Sequence, residues 1–287
     1  MGCVSAARTR RAVSVGHHRT IARTDHTMTQ HPYQFTRAIT RAPSSSSVHG
    51  LRAVDRGAPD LPRMRAAHSA YVAHLRTAGL QVIELPALEE FPDAVFVEDT
   101  ALCLPQGAIL LRIAAATRAG EVAAMAPALA SLYDAILEIQ GPGFVDGGDI
   151  LCTGREILVG RSARTDSAGI NELAALLAPW AHVVREVATP PGVLHFKTDC
   201  SLLDGDTVLS TARLAATGCF DAYRVILTGD GEEAAANAIR VNHWVLMAAG
   251  FPVTARRLAD AGYTVREVDN SEFAKLDGGM SCLSLRF

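Results

Sequence analysis

The sequence predicts an α/β fold in which one unit is repeated around a closed ring. Three segments that begin with Asp99, Asp149 and Asp199 lie fifty residues apart. Each predicts a β-hairpin, because two short apolar runs flank a glycine-containing turn. Segments of helical periodicity and then a further strand-like segment follow these hairpins. A unit of this kind cannot bury its own apolar face, so successive units must stack or close around an axis, as in an α/β propeller.

The helices and last strands of the units are predicted from apolar periodicity. Helices are predicted over 60–78 (Asp60 as N-cap, Gly79 as stop), 121–133 (interrupted by Pro127), 164–178 and 252–261. The strand-like segments that follow them are 80–86, 135–140, 182–188 and 263–269. Residues 237–269 form a further unit, and pairing of the strand-like ends, 35–40 and 280–287, completes a fifth. The alternative, a doubly wound parallel sheet, predicts single strands rather than hairpins between helices.

Composition excludes several classes of protein. The chain has 287 residues, 49% of them hydrophobic and 20% charged, which is enough to bury a large core. It lacks an apolar run of ~18 residues, which argues against a membrane span. A net charge of −3 and a pI of about 6.4 argue against binding to nucleic acid. The six cysteines form no C-x-x-C pair, which favours reduced thiols in the cytoplasm over a disulfide scaffold.

Residues 1–30 differ from the remainder of the chain. They contain five arginines and one acid, Asp25, and no apolar stretch of the length that a secretory signal needs. We expect a disordered extension or a chain whose working initiator is Met28, with a transit peptide as the alternative. Residues 31–287 are predicted to form a single folded domain.

Two residues are candidates for nucleophilic catalysis. Cys282 follows Gly278 and Gly279, which allow close approach of the backbone to a ligand or to another strand. A nucleophilic thiol needs a proton shuttle, for which His195 is the first candidate and His243 a competitor. The residues alone leave a second interpretation open: a buried cysteine and a hydrogen-bonded core histidine.

Acidic residues precede the strands of successive units. Asp93, Glu98 and Asp99 precede one hairpin, and Asp146 and Asp149 precede the next. In a closed ring these carboxylates would converge near the axis, which suits a cationic ligand; ordinary turn and cap residues are the alternative. No histidine cluster of metal-ligand spacing supports a metal site, and no nucleotide-binding glycine motif is present.

Taken together, the motifs resemble those of the dimethylarginine dimethylaminohydrolases, members of the guanidino-group-modifying (pentein) superfamily. The motifs are Phe-Val-Glu98-Asp99, Asp146-Gly-Gly-Asp149, Arg161-Ser-Ala-Arg164-Thr, Leu194-His195-Phe-Lys and Leu276-Asp-Gly-Gly-Met-Ser-Cys282. The resemblance runs from about Phe35 to Phe287. It implies a five-bladed α/β propeller as a single catalytic domain.

The resemblance also implies roles for nine residues. Cys282 corresponds to the nucleophile, His195 to the general acid/base and Asp146 to the carboxylate that orients the histidine. The substrate contacts that it implies are Asp99 and Glu98 to the guanidinium, Asp93 to the α-amino group, Arg118 and Arg164 to the α-carboxylate, and the main chain of Leu276. The loop that covers the pocket in relatives corresponds to residues 42–48, where no residue is assigned to the family's lid leucine.

The implied activity is hydrolysis of a methylated arginine, a small-molecule substrate, to citrulline without cofactor or metal. An arginine deiminase or an amidinotransferase would use the same residues, and a non-catalytic propeller that serves as a binding module is an alternative of a different class. The sequence does not determine the oligomeric state.

Overall fold

The structure is a computed structural model of the chain and describes residues 1–2 and 31–287. The predicted extension over 1–30 therefore lies outside the described residues, apart from the first two. None of the helices in the described part combines the length and the apolar character needed to cross a membrane.

Within residues 31–287, fifteen short strands form five sheets of three strands each. The strands are β1 Arg37–Arg41, β2 Gln81–Leu85, β3 Ala101–Leu104, β4 Gly107–Leu110, β5 Ile136–Glu138, β6 Ile150–Cys152, β7 Ile157–Arg161, β8 Val184–Ala188, β9 Cys200–Leu202, β10 Thr207–Ser210, β11 Arg224–Leu227, β12 Ile239–Val241, β13 Trp244–Ala248, β14 Thr264–Val268 and β15 Leu285–Arg286. Every sheet has the same construction: an antiparallel pair of strands, then a parallel third strand after a helical crossover. Each sheet with its crossover is one blade.

The crossovers contain helices of unequal length. The helices are α1 Leu61–Thr77, α2 Ala119–Ala130, α3 Ser167–Leu177, α4 Ala212–Ala215, α5 Pro252–Asp260 and α6 Ser271–Ala274, of which α6 lies after β14 rather than in a crossover. Asp60 caps α1 as predicted, since its side chain accepts the N–H of Arg63 at 2.9 Å. The predicted stop is confirmed at Gly79, which has a φ of +99°.

The first strand of each hairpin is the inner strand of its blade. The inner strands β3, β6, β9, β12 and β15 contact neighbours from adjoining blades, with β6 against β9, β9 against β12 and β15 against β3. Apolar side chains between adjacent blades form the core, in which Tyr71, Phe196 and Phe273 are fully buried. The structure is a five-bladed α/β propeller, and the fold predicted from the sequence is confirmed.

The first blade is closed by the two ends of the described domain. Strand β15 pairs antiparallel with β1, with Ile39 opposite Leu285, as predicted. Two helix boundaries differ by three residues from those predicted: α3 begins later, at Ser167, and α2 ends earlier, at Ala130. Pro127, predicted to interrupt its helix, lies within α2. Strand β11 was not predicted, because its crossover helix α4 has four residues and leaves little periodicity to detect.

Candidate active site

The candidate site is built from short 3₁₀ turns that precede the inner strands. The turns are Val97–Thr100, Gly147–Asp149, Phe196–Thr198, Glu233–Ala236 and Ser281–Leu283. Successive turns contact one another around the ring. A hydrogen bond from the backbone of Ser281 to Asn237, 2.8 Å long, joins the last turn to the one before it. The repeat seen in the sequence therefore brings residues from separate blades to one end of the axis.

Cys282 lies in the turn before β15. The backbone N–H of Gly279 points at its sulfur, with an N–Sγ distance of 3.4 Å. A Cβ atom on Gly278 would lie 2.3 Å from the Phe96 ring, so the loop that presents the thiol requires glycine at this position. Withdrawal from water, followed by the charges of Glu98 and Asp99, raises the pKa of Cys282 to about 12. The thiol is therefore protonated at neutral pH in the free protein.

His195 lies beside the thiol's cavity and is surrounded by carboxylates. Its Nε2 is 3.2 Å from Oδ2 of Asp146. Burial opposes a charged imidazole, but the charges of Asp99, Asp149 and Asp146 and the Asp146 hydrogen bond outweigh it and raise the pKa of His195 to about 9. The imidazole is therefore protonated at neutral pH and is hydrogen-bonded to Asp146.

Asp99 is held by Arg118 at the base of the cavity. Nη1 of Arg118 donates to Oδ2 of Asp99 at 2.6 Å, and the other side of the guanidinium pairs with Glu121 and the carbonyl of Phe96. Burial works against ionisation of Asp99, but His195 and Arg118 lower its pKa below the ordinary value. Burial raises the pKa of Glu121 to about 7 despite its pairing with Arg118. Asp99 is thus a carboxylate that stays ionised.

Arg164 occupies a more open position than Arg118. Its Nη1 lies 3.3 Å from Oδ2 of Asp146, and its side chain is 20% exposed, against 5% for Arg118. Among the residues that the structure describes, the side chain of Arg164 makes no contact as short as the pair between Arg118 and Asp99. Arg164 therefore has more donors available to a ligand in the cavity than Arg118 has.

Asp93 faces the cavity from the segment before the first turn. Its carboxylate accepts the backbone N–H of Leu51 at 2.9 Å and 3.2 Å. Burial raises the pKa of Asp93, and the charge of Arg118 partly offsets this. Asp93 thereby connects the cavity wall to the segment over it.

Glu98 points away from the cavity, unlike its neighbour Asp99. Its carboxylate accepts the hydroxyl of Ser281 at 2.6 Å and pairs with Lys197 and Arg286. Because Ser281 precedes Cys282, this contact braces the turn that carries the thiol. The contacts of Glu98 are thus to the protein, whereas the sequence prediction assigns it to the guanidinium alongside Asp99.

The cavity has a volume of about 210 Å³. Seven of the nine predicted site residues line it, the exceptions being Asp146 and Glu98: those in the lining are Asp93, Asp99, Arg118, Arg164, His195, Leu276 and Cys282. Thiol, imidazole, carboxylates and guanidinium groups converge on one small space. A ligand that is cationic at one end and carries a carboxylate at the other would meet complementary charges.

Three residues of the lining come from a segment that sequence reasoning missed. Leu51, Arg52 and Ala53 line the cavity, whereas the predicted lid loop over 42–48 overlaps the 3₁₀ helix Ser45–His49. The side chain of Arg52 donates to the carbonyls of Val48 and Gly57 and so holds this segment together. The sequence shows only an apolar residue after a glycine at Gly50-Leu51, and the exposure of Leu51 is visible only in the structure. His243, the competing histidine, lies exposed in the β12–β13 hairpin turn.

One cluster of the site has the residue types of a metal centre. Ligand atoms of Asp99, Asp146 and His195 all lie within 4.8 Å of one another. Both carboxylates already have cationic partners, Arg118 for Asp99 and Arg164 and His195 for Asp146. The negative charge of this cluster is therefore balanced by the protein's own side chains.

Comparison with known proteins agrees with the site. The family model described as arginine deiminase matches residues 86–249. A dimethylarginine dimethylaminohydrolase of Pseudomonas aeruginosa is 38% identical over 88% of this chain and 100% of its own length. The chain belongs to the dimethylarginine dimethylaminohydrolase family. A relative of the same name from Streptomyces coelicolor is 34% identical over 87% of this chain and 96% of its own length.

Solved structures agree with this family assignment. A variant of the Pseudomonas aeruginosa dimethylarginine dimethylaminohydrolase in complex with citrulline superposes with a TM-score of 0.86. It is 37% identical, and the match covers 89% of this chain and 100% of that one. A variant of the N-terminal domain of ArgZ, an arginine dihydrolase, shares the fold at 21% identity over 87% of this chain and 97% of its own, with a TM-score of 0.78.

Proposed function

We propose that the protein hydrolyses N-methylated arginines, namely Nω,Nω-dimethylarginine and Nω-monomethylarginine, to citrulline and dimethylamine or methylamine. The reaction passes through a covalent thiouronium on Cys282. The observation that carries this proposal is the cavity that Cys282, His195 and Asp99 line together. Family membership supports the same reaction class.

The substrate is bound at both ends. Asp99 holds the guanidinium next to Cys282, which fixes the otherwise weakly electrophilic central carbon for attack. Arg164 binds the α-carboxylate with the donors left free by its single contact to Asp146, and Arg118 adds its one remaining Nη1 hydrogen. Asp93 contacts the α-amino group, and the main chain of Leu276, which also lines the cavity, makes a further contact to the substrate. Glu98 contributes through the turn that carries Cys282.

Activation of the thiol depends on the substrate. Burial and then the carboxylates of Glu98 and Asp99 raise the pKa of the Cys282 thiol to about 12, and a bound guanidinium places a positive charge that opposes those carboxylates. The protonated His195 nearby adds to this effect. Substrate binding therefore favours the thiolate where it is needed, and the free protein keeps the thiol protonated.

The bonds and protons then balance over two steps. The thiolate attacks the guanidinium carbon, the C–N bond to the methylated nitrogen breaks, and His195 gives its proton to the departing amine. Neutral His195 next takes a proton from water as the water attacks the thiouronium carbon. The C–S bond breaks, and the proton of the new hydroxyl group passes to the departing sulfur, where it replaces the proton that the thiol lost to water on activation. Citrulline and the free thiol result.

Deimination of free arginine is the second candidate, because the arginine deiminase family model matches more than half of the chain. It uses the same carbon, nucleophile and acid, with ammonia as the leaving group. The two candidates differ only in the substrate that is accepted.

A citrulline assay with dimethylarginine, monomethylarginine and arginine tests both candidates. We expect the methylated substrates to have the larger kcat/KM. The variant Cys282→Ser should form no citrulline above background, since a hydroxyl is a far weaker nucleophile than a thiolate in this site. Preference for arginine would favour the deiminase, and full turnover by Cys282→Ser would refute the covalent mechanism.

A reduced intracellular compartment suits this chemistry, and we propose a cytoplasmic enzyme. Within residues 31–287 the cysteines form no disulfide, including Cys282 itself. A free thiol at Cys282 is required for attack, so an environment that keeps thiols reduced preserves activity.

A further inference from the structure

The turn that carries Cys282 depends on a residue from the preceding blade. Ser281 is the first residue of this 3₁₀ turn and is 3% exposed. Its backbone N–H has no partner within the turn, as is general at helix N-termini, and a buried donor of this kind needs an acceptor. Oδ1 of Asn237, 44 residues earlier in the chain, accepts it at 2.8 Å.

Two other functional turns are attached in the same way. Oδ1 of Asp99 accepts the N–H of Gly148 at 2.8 Å, in the turn that follows Asp146. Oδ1 of Asp149 accepts the N–H of Phe196 at 2.7 Å, directly after His195. In each case a side chain before one inner strand holds the turn of the next blade. The acceptor is a carboxylate in these two turns and a neutral carboxamide at the thiol.

The chemistry of the thiol explains why the third acceptor carries no charge. Burial and the carboxylates of Glu98 and Asp99 already disfavour the thiolate of Cys282. A further carboxylate beside Ser281 would disfavour it more, because like charges repel. A carboxamide accepts the same hydrogen bond without this penalty.

Asn237 also contacts the backbone that donates to the sulfur. A Cβ atom on Gly279 would lie 2.3 Å from Cγ of Asn237, so the carboxamide packs directly on this glycine. Gly279 is the residue whose N–H points at the sulfur at 3.4 Å. One side chain therefore fixes both the residue before Cys282 and the donor to its thiol.

We propose that Asn237 is a positioning residue for the nucleophile, which it holds in place as an uncharged acceptor. This rests on the proposed function, because Asn237 acts through Cys282. Asn237 has no role in the residue pattern that led to the other site residues, and it lines no part of the cavity wall described above.

Two variants separate its geometry from its charge. Asn237→Asp keeps the acceptor oxygen and adds a negative charge, whereas Asn237→Ala removes the acceptor. The control is Asn242→Ala, in the same blade, because Asn242 bonds instead to the backbone of Phe35 and Ala78. The measurements are the pH dependence of Cys282 alkylation by iodoacetamide, followed by peptide mass, with kcat, KM and thermal unfolding.

For Asn237→Asp we expect alkylation to require higher pH, and its rate at neutral pH to fall about tenfold for each unit by which the thiol pKa rises. Its kcat falls while KM for dimethylarginine stays near the original value. Asn237→Ala loses about 10- to 100-fold in kcat, because the nucleophile is no longer held in line. Asn242→Ala changes thermal unfolding and leaves both alkylation and kcat near the original values.

An unchanged alkylation profile and unchanged kcat in Asn237→Asp would overturn the proposal. Loss of folded protein in both Asn237 variants would also overturn it. A parallel loss of stability and kcat with an unchanged alkylation profile would do the same, because either result assigns Asn237 to the fold alone. Failure of the proposed function has a different signature. In that case Cys282→Ser retains turnover or the unsubstituted protein makes no citrulline, while alkylation still reports whether Asn237 positions the thiol.

Discussion

The two ends of the inner strands differ in what their connections contain. At one end the 3₁₀ turns hold buried charged residues, such as Glu98, Asp99 and Asp149. At the other end the hairpin turns are mostly exposed, for example at Gln106, Arg155 and His243. Both ends carry polar residues, but only the turn end withdraws them from water.

This difference shows what makes a polar residue functional in the fold. A buried charge is costly unless it is paired, and each buried acid of the turn end has a partner from another blade or from the same turn region. Burial raises the pKa of Cys282, whereas it lowers that of His195, which the surrounding carboxylates Asp99, Asp146 and Asp149 raise to about 9. The exposed polar groups of the hairpin end remain hydrated, so they need no paired charge to offset burial.

The largest expected effect separates the two histidines of these two ends. His195→Ala should lower kcat for citrulline formation by about 10²- to 10⁴-fold, because it removes the acid and base of both steps. His243→Ala, at an exposed hairpin turn, should leave kcat unchanged and alter stability by less than about 0.5 kcal/mol. Steady-state kinetics with dimethylarginine and thermal unfolding of both variants measure this. Equal losses in the two variants would remove the distinction between the ends.

A second prediction compares two arginines at the turn end, the partly exposed Arg164 and the buried Arg118. Arg164→Ala should raise KM about 10- to 100-fold with a smaller change in kcat, since a charge-assisted contact to the substrate carboxylate is lost away from the reacting carbon. Arg118→Ala leaves Asp99 and Glu121 buried without their cation, which costs about 3 to 5 kcal/mol of stability.

Denaturant unfolding together with KM distinguishes the two arginines. Arg164→Lys serves as the control, since it keeps the charge and loses the forked geometry. An unchanged KM in Arg164→Ala would reject its role in binding the carboxylate. Unchanged stability in Arg118→Ala would mean that the buried ion pairs contribute little.

Much of the fold could be predicted because the units repeat locally. The aspartates at intervals of fifty residues and the hairpin pattern each depend on residues near one another in sequence. Strand β11 escaped prediction because its crossover helix is too short to show a period. The number of blades required the pairing of β1 with β15, which the strand-like ends indicated.

The site was predicted less completely, for a physical reason. The motifs located Cys282 and His195, but the partners of a buried charge lie far along the chain. Glu98 contacts Lys197, which lies 99 positions later in the sequence, and Ser281, which lies 183 positions later. No local sequence pattern reveals these contacts. Asn237 escaped notice likewise, since one asparagine in an alanine-rich segment carries no signal until the turn of the next blade is placed against it.

The smallest expected effect is a change in pH dependence rather than a loss of rate. His195 must be protonated to release the amine, so kcat should fall as pH rises through its pKa of about 9. Asp146→Asn removes one of the charges that raise this pKa, and the alkaline limb of the pH–rate profile should move to lower pH by about one pH unit.

The control is Asp166→Asn, because Asp166 caps α3 through Gly169 and asparagine is an equally good N-cap. A pH–rate profile for each variant measures the limb. A limb that stays in place in Asp146→Asn would mean that Asp99 and Asp149 alone set the protonation of His195, and that Asp146 only orients the ring.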